Sequence, residues 1–363
     1  MSNLLLLGLL GALAVGDPPA TNSPPPAAAP AVNATNATNA TPAAPVAAKP
    51  ARPPEPDPND PLEKQYHQLM ADDDKAQGEV DEWIRENNNF VAKGAGVPRE
   101  ILNQRIQARF APIRQAYEQF LHDHPNHARA HLAYGSFLND IREADAAELA
   151  WEKARELDPT NPAAWNNLAN HYGHDGPVKK AFEYYAKAIE LDPEEAVYYQ
   201  NMATTVFLFR KDAMEFYHIE EQEVFNKALL LYDQALRHDP KNFVIAQDYA
   251  QTYYGIRPAR TEDALKAWTN ALAIATTSEE IEGVQLHFAR LKLHVGRFAE
   301  ARAHLALVSN PLYNTLKERL TKNLVQAETE AKAGPPTAAA PAAFTNAPVL
   351  TTPSPGPAKN PSP

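Results

Sequence analysis

Residues 162–195 read PAAWNNLANHYGHDGPVKKAFEYYAKAIELDPEE, and this stretch decides the fold. In its first half, apolar residues recur at the spacing of one helix face, at Trp165, Leu168, Ala169 and Tyr172. The HDG sequence at 174–176 interrupts the pattern, and a second apolar face follows at Ala181, Tyr185 and Ala188. Pro193 then ends the second helix. The stretch therefore predicts a pair of amphipathic helices joined by a short turn.

A similar short sequence with a proline, which marks the end of a helix, recurs along the chain. It appears as HDHPN, LDPTN, LDPEE and HDPKN, whose prolines are Pro125, Pro159, Pro193 and Pro240. The first two intervals are 34 residues and the third is 47, which leaves about 13 residues inserted in the third unit. Side chains follow the same 34-residue step, in the pairs Ala147 and Ala181, Trp151 and Tyr185, and Ala154 and Ala188. A fixed period of this length indicates stacked helical hairpins.

This pattern resembles the tetratricopeptide repeat family. The unit at 162–195 matches as W-x2-L-A-x2-Y, then A-x3-Y-x2-A, then P. The resemblance covers about half of the chain. It implies an all-α, right-handed superhelical solenoid of about five helical hairpins, with flanking cap helices and a concave groove.

Four further units match less fully. The unit from Ala128 keeps Gly135, Ala147, Trp151, Ala154 and Pro159, with His131 at the usual aromatic position. The unit from Ala196 keeps Tyr199, Met202, Ala203, Ala228, Tyr232, Ala235 and Pro240. The unit from Phe243 keeps Tyr249, Ala250, Tyr253, Ala264, Trp268 and Ala271. A weaker unit from Glu282 keeps Ala289, Gly296, Phe298, Ala301 and Leu305.

Regions outside the repeats complete the domain organisation. We expect 61–124 to form an N-terminal helical cap with a degenerate repeat, 125–310 to form the solenoid, and 311–333 to form a C-terminal capping helix. Residues 17–60 and 334–363 are rich in Pro and Ala. Such segments cannot bury enough apolar surface to offset the entropy of ordering, so we expect both to be disordered.

The first 16 residues carry an export hypothesis. Leu4–Val15 is an apolar run of signal-peptide length, too short to span a bilayer comfortably, and small residues follow it. The preceding MSN has no Lys or Arg, and a retained hydrophobic stub is the alternative. We expect export to a bacterial periplasm or cell surface, with the cytoplasm as the alternative. Sequons at Asn33, Asn36 and Asn39 fit either N-glycosylation or a low-complexity linker without modification.

First-helix side chains should line the groove if the family resemblance holds. The residues at these positions are Asn166, Asn167, Asn170, Gln200, Asn201, Thr204, Gln247, Asp248, Gln251, His287 and Arg290. Asn167, Asn201 and Asp248 occupy one equivalent position in three consecutive units. An amide offers both a donor and an acceptor, so this row predicts binding to the backbone of an extended peptide. A solvated polar face is the alternative. Arg129 and Arg290 are isolated, so we expect no basic clamp for a terminal carboxylate.

The insertion at about 207–227 is the most individual feature. Its length would extend both helices of the third unit by about two turns, and Asp212 to Glu215 fits a capping box. Its aromatic residues are Phe207, Phe209, Phe216, Tyr217 and Phe225. These would form a partner site if they are exposed on a protruding hairpin, or would hold that hairpin together if they pack on one another.

The sequence shows no catalytic motif, and its bulk properties exclude several function classes. There are no cysteines, which excludes disulfides and thiolate metal sites. The net charge of −11 argues against nucleic acid as a partner. The histidines of LHDHPNHARAH, at 121–131, match no metal signature, so we expect neither a metal nor a cofactor.

These features favour a protein scaffold that is not an enzyme. We expect the groove to bind an extended peptide or a helix of another protein, without membrane insertion once a signal is cleaved. One alternative is a self-associating structural repeat protein. The other is a non-catalytic subunit of an enzyme complex. The sequence does not name a partner.

Overall fold

The computed structural model describes Asp57, residues 59–91 and residues 94–333, and within these ranges the chain forms helices and turns without any strand. The helices are α1 Pro61–Val91, α2 Arg99–Asp123, α3 Ala128–Asp140, α4 Ala144–Leu157, α5 Pro162–Asp175, α6 Val178–Leu191, α7 Ala196–Leu208, α8 Arg210–Tyr217, α9 Glu221–His238, α10 Phe243–Thr252, α11 Thr261–Ile274, α12 Ser278–His294, α13 Phe298–Ala306 and α14 Asn314–Ala333. Short 3₁₀ turns lie at Tyr253–Gly255 and Pro311–Tyr313. The predicted all-α solenoid is confirmed.

Five helix pairs form the repeating units. Units 1 to 5 pair α3 with α4, α5 with α6, α7 with α9, α10 with α11, and α12 with α13. Each second helix also packs against the first helix of the next unit, so that no unit leaves its apolar face uncovered.

A small residue and a large one recur where the two helices of a unit meet. The small residues are Ala147, Ala181, Ala228, Ala264 and Ala301, all almost completely buried. One turn further along each second helix of units 1 to 4 lies a buried aromatic residue, at Trp151, Tyr185, Tyr232 and Trp268. The alanines let the helices approach closely, and the aromatic rings fill the space between them.

The carbonyl oxygens of the prolines before units 1, 2 and 3 each lie within hydrogen-bonding distance of a side chain on the first helix that follows. Trp165 Nε1 donates to the Pro159 carbonyl at 2.9 Å, and Tyr199 Oη donates to the Pro193 carbonyl at 3.0 Å. His131 Nε2 lies 2.9 Å from the Pro125 carbonyl. His131 therefore replaces the usual aromatic residue without loss of this contact, because its ring also carries a hydrogen-bonding nitrogen at its far edge.

The N-terminal hairpin of α1 and α2 is fixed to unit 1 by ion pairs. Arg129 Nη1 lies 2.8 Å from Oε2 of Glu63, which is buried. Arg114 Nη1 donates to Glu143 Oε1 at 2.8 Å. Glu63 needs the hydrogen bond from Arg129, because a buried carboxylate without a partner is costly.

The insertion in unit 3 does not lengthen both helices by two turns, contrary to the sequence prediction. Helix α9 has 18 residues, about one turn more than the 14 residues of α4 and α6, and α7 is not extended. Helix α7 ends at Leu208, and the extra residues form the separate helix α8 before α9 begins at Glu221. His218 adopts the left-handed conformation, with φ of 54°, and ends α8. The predicted capping box at Asp212 is also wrong, because the box that forms pairs Glu220 with Glu223 at the start of α9.

Helix α14 closes the C-terminal end of the described solenoid. Its Leu320 and Leu324 are buried in one cluster with Leu286 and Leu305 of unit 5. Upstream of α14, the Glu282 carboxylate accepts hydrogen bonds from the backbone of residues 309 and 310, at 2.7 and 2.6 Å. The last unit is thereby covered by a helix whose outer face is charged.

Several sequence expectations concern residues outside the described ranges. These are the apolar run Leu4–Val15, the sequons at Asn33, Asn36 and Asn39, and the segment 334–363. Among the helices that the structure does describe, none combines the length and hydropathy needed to cross a bilayer.

Two glycines in first helices should respond in opposite ways to alanine. A Cβ on Gly135 would lie 2.4 Å from Cδ1 of the buried Trp151 ring, so Gly135→Ala should lower the free energy of unfolding by about 1–3 kcal/mol. The matched control is Gly173→Ala, whose Cβ would meet its nearest neighbour at 3.5 Å. Because alanine is the better helix former, the control should gain up to about 1 kcal/mol.

Urea unfolding followed by circular dichroism measures both changes. Equal effects at the two positions would contradict the close packing of Trp151 against α3.

Candidate peptide-binding groove

Polar side chains of successive first helices are hydrogen-bonded to one another. Asn167 Nδ2 donates to Ser136 Oγ at 3.3 Å, which joins unit 2 to unit 1. Asn201 Nδ2 donates to Asn166 Oδ1 at 3.1 Å, which joins unit 3 to unit 2. Gln200 Nε2 donates to Asp248 Oδ2 at 2.8 Å, which joins unit 4 to unit 3. We call this set of three bonds the polar ladder.

Tyrosines of the second helices support the ladder from behind. Tyr185 Oη donates to Asn170 Oδ1 at 2.7 Å. Thr204 Oγ1 donates to the Gln200 carbonyl and lies 2.7 Å from Tyr232 Oη, which leaves Tyr232 as the donor of that bond. Both hydroxyls are fully buried, and burial raises the pKa of each. They therefore stay protonated and hold the first-helix side chains in fixed rotamers.

Burial divides the predicted groove residues into two groups. Asn166, Gln200, Asn201 and Asp248 are buried, with 6–8% of their surface exposed. Asn167, Asn170, Thr204, Gln247 and Gln251 are half-buried. A ligand in the groove would meet the second group first, because those side chains are more exposed. Asn167, Asn201 and Asp248 therefore differ in burial, although they occupy equivalent positions in the repeat.

Asp248 is a carboxyl group in a row of amides. Its burial raises its pKa to about 6, although the hydrogen bond from Gln200 opposes the shift. Tyr232 also lies close enough to interact with its charge. The ladder therefore contains one group that gains its charge between acidic and neutral pH.

His287 and Arg290 lie on the first helix of unit 5. The His287 ring is stacked on Trp268, with 3.8 Å between ring centroids, and its Nδ1 lies 2.8 Å from Tyr254 Oη. Burial and the nearby Arg290 cation lower the pKa of His287 to about 3. Arg290 is exposed, and its guanidinium lies 4.6 Å from the centre of the Tyr254 ring. His287 is therefore a neutral part of the aromatic packing.

The aromatic residues of the insertion lie against the solenoid. Phe225 is buried, and the other four are half-buried. Phe216 and Tyr217 of α8 lie 5.4 and 5.6 Å from the Phe182 ring of α6, and Phe207 lies 6.0 Å from Phe225. None of the five is exposed on a protruding hairpin. Their contacts agree with the alternative in which these aromatic residues are packed.

Histidines near the start of unit 1 have structural contacts. His127 Nδ1 accepts a hydrogen bond from the backbone of Ala130 and caps α3. His124 packs against Phe120, at 4.9 Å between ring centroids. In the part of the chain that the structure describes, no group of three or more potential ligands is arranged to hold a metal ion.

The sequence predicted which first-helix positions would face the groove, but it did not predict how their side chains pair. The partners Ser136, Thr205 and Tyr254 carry no repeat signature, and each shares a hydrogen bond with a neighbouring unit. The 34-residue register alone would have aligned Asn166 with Gln200, whereas the bonds run diagonally, between Asn166 and Asn201.

Asp248→Asn should remove a pH-dependent cost of folding. The pKa of Asp248 is raised to about 6 in the fold, against about 3.9 for an unfolded aspartate, so the native state binds the extra proton. The stabilisation that comes from binding this proton is present at low pH and is lost as pH rises from about 4 to 6. Asparagine keeps an acceptor for Gln200, so we expect a gain of about 1–3 kcal/mol at pH 7.5 and little change at pH 4.

Chemical unfolding at a series of pH values measures this difference. The matched control is Asp72→Asn, at an exposed position on α1, which should follow the wild-type profile. A variant as stable as wild type at every pH would rule out a buried, charged Asp248.

Comparisons with known proteins give a limited set of similarities. No family model matches the sequence. The chain is similar to the photosystem I assembly protein Ycf3 of Cyanophora paradoxa, with 32% identity over 112 residues that span 30% of this chain and 65% of that protein. It is also similar in structure to TTC0263, a TPR protein of Thermus thermophilus, with 21% identity, coverage of 56% of this chain and 100% of that chain, and a TM-score of 0.39. YrrB, a TPR protein with an unusual peptide-binding site, is similar in structure with 13% identity. The match covers 60% of this chain and 100% of that chain, with a TM-score of 0.43.

The repeat signature in the sequence coincides with the contacts that build the fold. The signature alanines and aromatic residues predicted from the 34-residue period are the residues that bury the contact between the two helices of each unit. The Pro159 and Pro193 carbonyls accept bonds that join one unit to the next. Because sequence signature and structural role coincide in consecutive units, the chain folds as an all-α solenoid of tetratricopeptide-like repeats.

Proposed function

We propose that this chain is a non-catalytic scaffold that binds an extended segment of a partner protein along its first helices. The proposal is based on a group of half-buried polar residues on three consecutive first helices. These residues are Asn167, Asn170, Thr204, Gln247 and Gln251. Their amides and hydroxyl offer both donors and acceptors, which is what the backbone of an extended peptide requires.

The polar ladder contributes rigidity to this surface. Asn166 and Asn201 are fixed to each other, and Gln200 is fixed to Asp248, so the first helices of units 2, 3 and 4 are tied together. A surface that is already ordered loses less conformational entropy on binding. The buried amides thus support binding indirectly, by holding the accessible ones in place.

A role in protein assembly is consistent with the 32%-identical relative, which is named as an assembly protein for photosystem I. Only the general class is carried over, because the match spans 65% of that protein. The partner of the present chain is identified here by chemistry alone, as a protein segment with free backbone donors and acceptors.

Export of the scaffold is part of the proposal. It rests on the apolar run Leu4–Val15 and on the small residues at 14–16. Expression of the full chain in a bacterium, followed by fractionation and mass spectrometry, should find a periplasmic product shortened by about 16 residues. A full-length product that stays in the cytoplasm would contradict export and leave the groove proposal unaffected.

Replacing the accessible amides should weaken peptide binding. We would select ligands from a pool of random decamer peptides with the wild-type chain, then measure their affinity for Asn167→Ala/Gln247→Ala/Gln251→Ala. Each lost hydrogen bond is worth about 0.5–1.5 kcal/mol, so the Kd should rise at least about tenfold. Circular dichroism checks that helicity is unchanged.

The matched control changes three charged side chains on second helices, Lys187→Ala/Glu190→Ala/Lys266→Ala. This control should bind the selected decamers like wild type. Equal loss in both triple variants, or a pool from which no peptide is enriched, would sink the groove proposal.

A further inference from the structure

The polar ladder stops before unit 5. Gln247 occupies the position that Asn166 and Gln200 occupy in the two preceding units, and those two side chains bond to the next first helix. Within the described residues, the Gln247 amide makes no hydrogen bond, although it is half-buried. The first helices of units 1 to 4 pack on one another in succession, and the contact between α10 and α12 is weaker.

A recess of about 270 Å³ lies beside Phe243 and Gln247 of α10 and His287 of α12. It is below the size of a typical pocket for a drug-sized ligand and suits one long side chain. Rings and aliphatic groups form most of its walls, at Phe243, Trp268, Val284, Leu286, Tyr313 and Leu316. Gly283 lies beneath Tyr313, because a Cβ there would be 3.0 Å from the hydroxyl.

The charges that line the recess are negative. Glu279 and Glu280 are among the lining residues, which include no Lys or Arg. Burial lowers the pKa of His287 to about 3, so its ring carries no charge at neutral pH. The N-terminus of α12 contributes about half a positive charge, which two carboxylates outweigh. The recess is therefore unsuited to an anion.

The two carboxylates differ in how far they are already occupied. Glu280 accepts hydrogen bonds from the backbone of Thr276 at 2.6 Å and of Thr277 at 3.0 Å, as the cap of α12. Glu279 accepts only a long bond of 3.4 Å, from the Asn310 side chain. Glu279 thus retains capacity for a strong charged donor.

We infer that this recess binds an arginine side chain of the protein segment that lies along the first helices. This inference rests on the proposed function and deepens it by naming an anchor residue. A guanidinium donates two parallel bonds to a carboxylate and stacks its flat face on aromatic rings, and both partners are present here. The unpaired Gln247 amide lies at the same recess and can bond the backbone beside the anchor.

Single capped amino acids test the recess without involving the rest of the groove. We would titrate ¹⁵N-labelled full-length protein with N-acetyl-arginine amide and follow the indole N–H signal of Trp268, assigned through Trp268→Phe. The signal should shift and saturate. N-acetyl-citrulline amide, which has the same shape without the charge, should bind at least five times more weakly. Glu279→Gln should weaken the arginine probe by a similar factor.

Two control variants make the result specific. Glu318→Gln removes an exposed carboxylate outside the recess and should leave the arginine titration unchanged. Asn167→Ala/Gln251→Ala, which spares Gln247, should also leave it unchanged. N-acetyl-phenylalanine amide tests whether the recess is instead an apolar anchor site.

Three results would overturn the arginine anchor. They are no shift at Trp268, equal binding of the citrulline or phenylalanine probe, and an arginine titration that Glu279→Gln does not alter. Because the probe contacts the recess alone, such a result leaves decamer binding along the groove standing. Failure of the decamer selection with a positive arginine titration would instead overturn only the proposed function.

Discussion

The close contact between the two helices of each unit is the constraint on which the structure depends. An alanine on the second helix allows the approach, and an aromatic residue one turn later fills the remaining space, as Ala181 and Tyr185 do in unit 2. A single pair of this kind still leaves apolar surface on its outer side. Stacking the next pair covers that surface, so the chain must repeat the unit and must end in a cap such as α14.

The groove follows from this stacking. Because each unit repeats the same helix crossing, first helices present equivalent positions side by side, and polar residues there come within hydrogen-bonding distance. The protein uses part of this polar set for its own cohesion, as in the buried pair of Asn166 and Asn201. The half-buried remainder includes Gln247 and Gln251. In the proposed function, cohesion between units and ligand binding use side chains of one row.

The sequence predicted the units well because their signals are local or periodic. Proline spacing marked the ends of helix pairs, and alanine and aromatic positions marked their contacts. It did not predict α8, because chain length alone does not distinguish two extended helices from a separate one, and the break depends on the left-handed backbone at His218. Nor did it predict which amides pair or where the recess lies, since both depend on the distance between neighbouring first helices.

Unit 5 departs from its neighbours for a physical reason. In place of an amide it carries His287, whose ring stacks on Trp268 and bonds to Tyr254. That arrangement replaces a bond between first helices by a contact with the second helix and 3₁₀ turn of unit 4. A row of polar side chains that binds only the peptide backbone has little preference for the ligand's sequence, because every peptide has the same backbone. A shaped and charged recess at one end would add that preference and would fix the direction and register of the bound segment.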